Sequence, residues 1–337
     1  SEKWILEEER GYPGHDVGVT GLALLAFVGA GHTHTSDESE HREVVEKALE
    51  WILAQQQGSG PREERGRFGG PEAETWIYNH AIATQAIARL LLRSGDKQKL
   101  RKPLRDAVRL CLRARTKEYG WKYRMAGKRN DSSVTGWMME AVQAARECVK
   151  KGLLDVSASD TRKAIRGGVR WYDTVTSSVS GITGYETPGD EGSRLQKGYP
   201  EPYPFSKKLP TMTAVSILCR LKGGVKPRDP SIEQGCELLR KHPPRWREIQ
   251  RRRHSTINYY YWYHGARALA ERGGKGWREW RSALEKALLD HQRDKGCEAG
   301  SWDTKGEWCL VGGRVYATAI CALTLETAKQ AGKKRRK

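Results

Sequence analysis

The stretch HDVGVTGLALLAFVGAGH (residues 15–32) decides the fold, because a similar phrase returns as NDSSVTGWMMEAVQAA at residues 130–145. Each copy has one acidic residue, then Val-Thr-Gly, then an apolar run. Four other segments open in the same small, apolar way, so the chain repeats one kind of helix six times. Each is rich in Ala, Leu, Ile and Thr on most faces, which predicts a helix buried on most sides. The six begin near Asp16, Trp76, Asp131, Thr211, Asn258 and Arg314.

A second kind of segment, amphipathic and charged, alternates with the first. In residues 42–56 the apolar positions recur every three or four residues with charged residues between them, as in a helix with one buried face. The charged segments are residues 2–9, 42–56, 100–116, 159–175, 231–241 and 277–293. Trp-Ile-Leu at residues 4–6 matches Trp-Ile-Leu at residues 51–53, so we expect residue 1 to fall inside a truncated first charged helix.

Six alternating pairs predict an all-α fold, an (α/α)6 toroid with six apolar helices in an inner barrel and six charged helices in an outer barrel. An open solenoid is the alternative, but it would expose apolar helices at its ends. Gly-aromatic loops such as GRFGG, YGWKY and GSWDTKGEW join charged to apolar helices, where glycine permits tight turns. We therefore expect one repeat domain at residues 1–330, with its first outer helix truncated, and a basic tail at residues 331–337.

The composition limits the possible partners. The 337 residues carry a formal net charge of +19, which suits an acidic protein or another anionic surface, although a solvated, soluble face is the simpler explanation. We find no recognisable nucleic-acid-binding motif, no transmembrane segment and no secretory signal. The seven cysteines are scattered singly, which favours reduced thiols as in cytoplasmic proteins, but the compartment stays open.

Several segments resemble one known superfamily. The segments DVGVTGLALLAFVGAGH, YNHAIATQAI, DSSVTGW, YYYWYHG and GCEAGSWD resemble the terpenoid cyclases and protein prenyltransferases, specifically bacterial proteins with prenyltransferase and squalene oxidase repeats. The resemblance covers about residues 2–330, and ALLDHQRDKGCEAGSW is similar to the Gln-Trp repeat of squalene cyclases. It implies the same toroid and a central cavity that takes an apolar or isoprenoid-like ligand.

The catalytic motifs of that superfamily are absent from this chain. Its cyclases protonate an alkene with the middle acid of Asp-x-Asp-Asp-Thr, which requires a neutral carboxylic acid. The matching stretch here runs from Asp131 to Thr135 and has Ser133 at the place of the donor, while the earlier copy has Gly18 there. We therefore expect no protonation by that route.

The zinc ligands of the protein prenyltransferases are also replaced. The resemblance puts Thr256 and Asn258 at the places of the Asp and Cys ligands, and Ala317 at the place of the His ligand. His32, His34 and His41 lie close together in the sequence, but their spacing matches no named metal site. We therefore expect no metal and no cofactor.

A candidate pocket follows from the predicted architecture. If all inner helices run the same way, their amino termini share one rim of the central cavity, where polar groups converge around an apolar bore. The rim residues are His15, Asp16, Tyr78, Asn79, His80, Asp131, Asn258, Tyr260, Tyr261, His264, Arg314 and Tyr316.

Each of these residues also has a structural interpretation. Asp16 and Asp131 can cap their helices, and His80 and His264 can be satisfied core histidines. The tyrosines can line the bore or pack between helices. Arg314 can bind an anion or pair with an acidic residue such as Asp303 or Glu307.

Three functional hypotheses remain at this stage. The main hypothesis is a toroid that binds an apolar or isoprenoid-like ligand in its central cavity. The alternative is a non-catalytic scaffold that binds acidic partners through its basic surface. A third is a polysaccharide-processing (α/α) toroid that uses Asn, His, Tyr and Arg on an anionic glycan. The sequence leaves open whether the chain is an enzyme.

Overall fold

The computed structural model describes residues 9–70, 76–123, 130–190, 204–250 and 254–333. In these ranges a short 3₁₀ turn, Pro13–His15, precedes eleven α-helices and no strand is present, only isolated bridges. The helices are α1 (Asp16–Ala30), α2 (Arg42–Ala54), α3 (Trp76–Ser94), α4 (Lys97–Arg113), α5 (Ser132–Lys150), α6 (Ala158–Val175), α7 (Thr211–Lys222), α8 (Pro230–Lys241), α9 (Tyr259–Arg272), α10 (Lys275–Leu289) and α11 (Cys309–Lys333).

The predicted alternation of apolar and charged helices is present in the described residues. The odd-numbered helices are the apolar, inner ones and the even-numbered helices are the charged, outer ones. Five inner helices begin within a residue of the predicted position. The sixth, α11, begins earlier, at Cys309, but Gly313 interrupts it with φ near +64°, so regular helix resumes at Arg314 as predicted. The charged segment at residues 2–9 lies almost wholly outside the described residues.

The chain divides into two compact units, and the first comprises Pro13–Trp171. In this amino-terminal unit α3 packs between α1 and α5, and the three helices run parallel. Gly18 and Gly21 of α1 face Asn79 and Ile82 of α3, and further along α3 the Gln85 amide donates to the Glu140 carboxylate of α5 at 3.1 Å. The amino termini of these three inner helices therefore lie at the same end of the unit.

The second unit contains the described residues of Tyr172–Lys337 and of Ser1–Tyr12. Here α9 packs between the inner helices α7 and α11, and the outer helices α8 and α10 pack against it. A Cβ on Gly265 would lie 2.5 Å from the Trp280 ring, so this glycine lets α9 and α10 approach closely. Asn258, just before α9, bonds to Glu307, just before α11, so the starts of these two inner helices are also adjacent.

Two segments of inner helix are long and apolar enough to cross a membrane by length and composition alone. They are Pro13–Ala30 and Cys309–Ala331. In the structure α1 packs on α3, and α11 packs on α9 and α10. Both segments thus pack on other helices of the fold.

Four of the loops that lead from an outer to an inner helix share one anchoring hydrogen bond. In each of the four, a backbone N–H donates to a side chain near the start of the following inner helix. The bonds are Phe68 N to His80 Nδ1 (3.2 Å), Trp121 N to Thr135 Oγ1 (3.1 Å), Thr183 N to Thr213 Oγ1 (3.0 Å) and Trp302 N to Thr318 Oγ1 (3.4 Å). Because a buried N–H needs an acceptor, this bond explains a polar residue in otherwise apolar helices.

Two of these loops also close the end of the preceding outer helix. The indole N–H of Trp121 donates to the Cys111 carbonyl at 2.8 Å, and that of Trp302 donates to the Leu288 carbonyl at 2.8 Å. Both rings are buried and bond to a carbonyl of the last helical turn; the Leu288 carbonyl also accepts from the His291 N–H at 3.2 Å. The Gly-aromatic loops are therefore repeated anchors between outer and inner helices.

We expect Thr135→Val to destabilise the protein. Valine keeps the shape of threonine but leaves the buried Trp121 N–H without its acceptor, so the free energy of unfolding should fall by about 1–3 kcal/mol. Urea unfolding measures this change. Thr327→Val is the matched control, since the Thr327 hydroxyl bonds only to the Leu323 carbonyl of its own helix. Equal losses in the two variants would contradict the anchoring role.

Candidate functional site

Asn79 holds together the start of the amino-terminal unit. Its amide nitrogen donates to the Gly14 carbonyl at 2.7 Å, and its amide oxygen accepts from the Gly18 N–H at 3.0 Å. A Cβ on Gly18 would lie 2.8 Å from that oxygen, so glycine is needed for the contact. The buried Asn79 side chain thereby fixes both ends of the turn that carries His15 and Asp16.

Asp16 and His15 form a titratable pair at the first turn of α1. The Asp16 side chain is exposed, yet neighbouring protein atoms remove part of its hydration and raise the pKa of its carboxyl, against the opposing charge of His15. Burial lowers the pKa of His15, against the opposing charge of Asp16. Asp16 is thus an accessible carboxyl that holds its proton to a higher pH than usual.

Tyr78 contributes a phenol next to Asn79 on α3. Its hydroxyl lies 3.2 Å from that of Tyr123, and the two ring centroids are 5.8 Å apart in an edge-to-face arrangement. Both side chains are half-buried. Such a pair offers donors, acceptors and an aromatic face to a polar ligand.

Asp131 caps α5 rather than standing open to solvent. Its carboxylate oxygen Oδ1 accepts from the Val134 N–H at 2.8 Å, and the residue is wholly buried. Ser133 and Thr135, in the same stretch, are buried as well, and Thr135 holds the Trp121 loop. The DSSVT stretch therefore has the contacts of a helix start.

His80 lies on the side of α3 that faces the outer helix α4. Its Nδ1 accepts from Phe68, its Nε2 donates to the Ala107 carbonyl at 3.2 Å, and Cys111 Sγ is 3.3 Å away. Burial lowers the pKa of His80 to about 3. The imidazole is therefore neutral at pH 7 and occupies the position that threonine takes in three other loops.

In the carboxy-terminal unit, Asn258 lies at the start of α9 as a capping residue. It accepts from the Tyr261 N–H at 2.8 Å and donates to the buried carboxylate of Glu307. Sequence reasoning named Glu307 only as a partner for Arg314. Nothing in its local sequence separates it from the other acids of the GSWDTKGEW loop.

The aromatic residues of α9 and α11 pack in different directions. The Tyr261 hydroxyl donates to the His242 carbonyl at 2.7 Å and its ring packs against Trp280, so it faces the outer helices. Tyr260 packs edge-to-face on the fully buried His264, with ring centroids 4.5 Å apart. Burial raises the pKa of Tyr316 well above its ordinary value.

Arg314 is held within a network of acidic groups. It bonds to Glu9, to Asp303 at 3.0 Å and to the Ser301 hydroxyl at 3.0 Å. Burial lowers the pKa of Arg314, but the bonds to Glu9 and Asp303 outweigh burial and the pKa is raised. Arg314 thus pairs with acidic residues, which was one of its two predicted roles.

The predicted rim residues are thus brought together in smaller groups. His15, Asp16 and Asn79 form one group and Tyr260 with His264 another, while Asn258 and Arg314 have separate acidic partners. The common rim of all six inner helices stays a prediction. A cavity of about 300 Å³ exists elsewhere in the carboxy-terminal unit, lined by residues such as Glu233, Cys236, Arg240, Arg272 and Lys275, and no predicted rim residue lines it.

The histidine-rich loop after α1 has structural partners. His34 bonds to Asp96 at 3.0 Å and His32 bonds to the Ser39 hydroxyl at 2.8 Å. In the described ranges no group of three His, Cys, Asp or Glu side chains could hold a metal ion.

Comparison with known proteins identifies the fold. No protein-family model matches the chain, and no curated protein sequence does. Among solved structures, Rex8A from Paenibacillus barcinonensis is similar with a TM-score of 0.57 and 11% identity, covering 95% of this chain and 86% of that chain. The α-1,6-mannanase GH76A of Salegentibacter sp. HEL1_6, in complex with α-1,6-mannotriose, has a TM-score of 0.56 and 11% identity, covering 91% and 89%. A reducing-end-xylose-releasing exo-oligoxylanase in complex with xylobiose has a TM-score of 0.54 and 12% identity, covering 92% and 82%.

These similarities confirm the predicted fold class. The chain is an all-α protein with the (α/α)6-toroid fold of these glycoside hydrolases. The identities are low, so the similarity establishes the fold and leaves the activity open.

The resemblance to terpenoid cyclases and protein prenyltransferases is wrong. The three structural neighbours named above are glycan-cleaving enzymes, and none of these three is a cyclase or a prenyltransferase. The physical reason lies in the motifs on which the resemblance rested. Asp131 caps a helix, Thr135 anchors a loop and Trp302 satisfies a carbonyl, which are requirements of stacked helical hairpins rather than of one chemistry.

We expect His80→Asn to weaken the pH dependence of stability. The pKa of His80 is depressed in the folded state, so the unfolded chain binds the extra proton and the wild type loses stability as pH falls from about 6.5 toward about 3. One such group contributes up to about 1.4 kcal/mol per pH unit. Asparagine keeps an acceptor for the Phe68 N–H without titrating, so urea unfolding from pH 7 to pH 4 should show a shallower slope. His254→Asn, at an exposed position, should keep the wild-type slope.

We expect Asn79→Ala to release the turn that carries His15 and Asp16. Loss of the Asn79 amide should expose the His15 ring to water and raise the pKa of His15 toward its ordinary value. NMR titration of the imidazole measures this pKa. Asn258→Ala removes an equally buried asparagine from the other unit and should leave the His15 titration unchanged. An unchanged titration in Asn79→Ala would show that Asn79 does not position the pair.

Proposed function

We propose that this protein binds a glycan and cleaves a glycosidic bond, with Asp16 as the proton donor. The observation that carries the proposal is the environment of Asp16, an accessible carboxyl with a raised pKa at the start of an inner helix. The fold supports it, since the similar solved structures named above are glycan-cleaving enzymes.

The chemistry requires an acid that is protonated when the substrate arrives. When a glycosidic bond is hydrolysed, the carbon–oxygen bond breaks and the leaving oxygen takes a proton from a carboxylic acid. The oxygen of a water molecule bonds to the anomeric carbon, and the proton released by that water goes to a second carboxylate. Burial raises the pKa of Asp16, which is the direction that the donor role requires.

Asn79 has a positioning role in this proposal. Because its two hydrogen bonds fix Gly14 and Gly18, the Asp16 carboxyl is presented from a rigid turn rather than from a loose loop. A catalytic group held by buried hydrogen bonds loses less freedom when the substrate binds. The nearby Tyr78–Tyr123 pair suits a sugar, since hydroxyls bond to hydroxyls and an aromatic face packs on the apolar side of a sugar ring.

Asp131, the acid at the start of α5, does not suit the role of the second carboxylate. It is wholly buried and its Oδ1 caps the helix, so an attacking water does not reach it.

We expect Asp16→Asn to lower kcat/KM by about 100-fold or more, the usual contribution of a general acid. The assay measures new reducing ends from xylo-oligosaccharides, α-1,6-manno-oligosaccharides and oligogalacturonates, separated by chromatography. Asp37→Asn is the control, because Asp37 is an exposed residue whose carboxylate pairs with Arg42, and it should retain the wild-type rate.

Circular dichroism and thermal unfolding verify that both variants are folded. The proposal fails if the wild-type protein cleaves none of the three glycans, or if Asp16→Asn retains the wild-type rate.

A further inference from the structure

The outer helix α4 carries a row of like charges at a regular spacing. Its seventeen residues include seven basic residues and a single acidic one, Asp106. Five of the basic residues recur at every fourth position, Lys97, Arg101, Arg105, Arg109 and Arg113. Residues four apart are neighbours on a helix, so these side chains form a ridge about 24 Å long with a charge about every 6 Å. We call this row the arginine ridge.

The ridge is exposed and little neutralised. Four of its side chains are exposed, and Arg105 is half-buried beside Asp106 at 3.4 Å. Lys97, Arg101 and Arg109 have no ion-pair partner in the part of the chain that the structure describes. Like charges four residues apart destabilise a helix, so this row opposes the stability of α4.

A second row lies on the next outer helix of the same unit. Arg162, Arg166 and Arg170 recur at every fourth position of α6, and all three are exposed. The segment after α4 touches α6, because the Arg170 guanidinium stacks on the Tyr119 ring at 4.5 Å. The carboxy-terminal end of the α6 row therefore lies beside the segment that follows α4.

The loop before α3 contacts the end of the ridge. Arg113 donates to the Arg65 carbonyl at 2.9 Å. Burial and then the charge of the neighbouring Arg62 lower the pKa of Arg113. Glu63 and Asp106 act in the opposite direction on the same group, so this end of the ridge has mixed charge.

An outer helix of the other unit shows a different use of charge. On α10, Lys275 lies 3.6 Å from Glu279 and Arg281 lies 2.7 Å from Glu285, each four residues on. Lys286 pairs with Asp290 at 2.9 Å in the same way. A soluble face is thus achieved in this chain by alternating charges, and solubility does not require the like-charged ridge of α4.

We propose that the arginine ridge and the α6 row bind a linear acidic polysaccharide that carries carboxylates along its length. This inference rests on the proposed function in one respect, the choice of a glycan among polyanions. The ridge is extended and repetitive, which suits a chain of regularly spaced anions better than a single small anion. Seven of the eight residues in the two rows are arginine, whose planar fork of donors matches a carboxylate with two parallel bonds.

Nucleic acid and anionic membranes are the competing partners. A basic helix side can contact nucleic-acid phosphates as well as carboxylates, so the choice of a glycan over nucleic acid rests on the proposed function. Large apolar side chains that could enter a membrane are not exposed on the described parts of α4 and α6.

The test is binding of polygalacturonate, measured by titration calorimetry at several salt concentrations with neutral dextran as the reference polymer. The ridge variant combines Arg101→Gln, Arg105→Gln and Arg109→Gln. The control variant removes the same number of charges from paired positions on α10, by Lys275→Gln, Arg281→Gln and Lys286→Gln. We expect the ridge variant to lose about ten-fold or more in affinity with a shallower salt dependence, and the control to stay within about two-fold.

Three outcomes would overturn the proposal. Equal losses of affinity in the two variants would show that binding depends only on net charge. Wild-type affinity in the ridge variant would show that the arginine ridge does not bind the polysaccharide. Tighter ridge-dependent binding of DNA with the same number of charges, or of anionic vesicles, would assign the surface to another partner. Asp16→Asn should bind polygalacturonate like the wild type, and the ridge variant should still cleave short neutral oligosaccharides. Failure of binding is therefore separate from failure of the proposed hydrolysis.

Discussion

The fold depends on a recurrent constraint, the buried N–H group in loops that lead from an outer to an inner helix. At four loops this group donates to a side chain near the start of the next inner helix, which is His80 in one case and threonine in three. Because the loop is buried, the amide cannot bond to water and its acceptor must come from the helix. That bond fixes where each inner helix begins relative to the hairpin before it.

This constraint also explains why family resemblance can mislead in this fold. A helix capped by Asp131, a threonine one turn later and a glycine after it are what a loop anchor and close helix packing require. Any sequence that stacks helical hairpins meets the same requirements, so such motifs recur without a common chemistry. Glycine, threonine and tryptophan at these positions therefore indicate the fold and do not indicate a catalytic activity. The residues that carry chemistry have to be found by exposure and electrostatics, as at Asp16.

The inner and outer helices contribute different kinds of side chain to the proposed functions. Inner helices contribute small apolar residues and a few polar groups at their starts, where Asn79 holds the turn of Asp16 by two hydrogen bonds. Outer helices carry the charge, and they carry it in two ways. On α10 opposite charges alternate and neutralise one another, whereas on α4 like charges follow one ridge at a cost in helix stability. The proposed cleavage site and the proposed binding surface thus lie on different layers of the same unit.

The sequence by itself determined the helices, their alternation and the (α/α)6-toroid fold class, because periodicity and capping are local properties. Only the tertiary structure decided which way the polar side chains of the inner helices face, since a helix that is apolar nearly all round has no single buried face. His80 and Tyr261 therefore face outer helices, although both belong to the set of predicted rim residues. Arg314 is held by Glu9, 305 positions away, a contact that no local pattern encodes. The pKa of Asp16 likewise depends on atoms that only the folded chain brings near it.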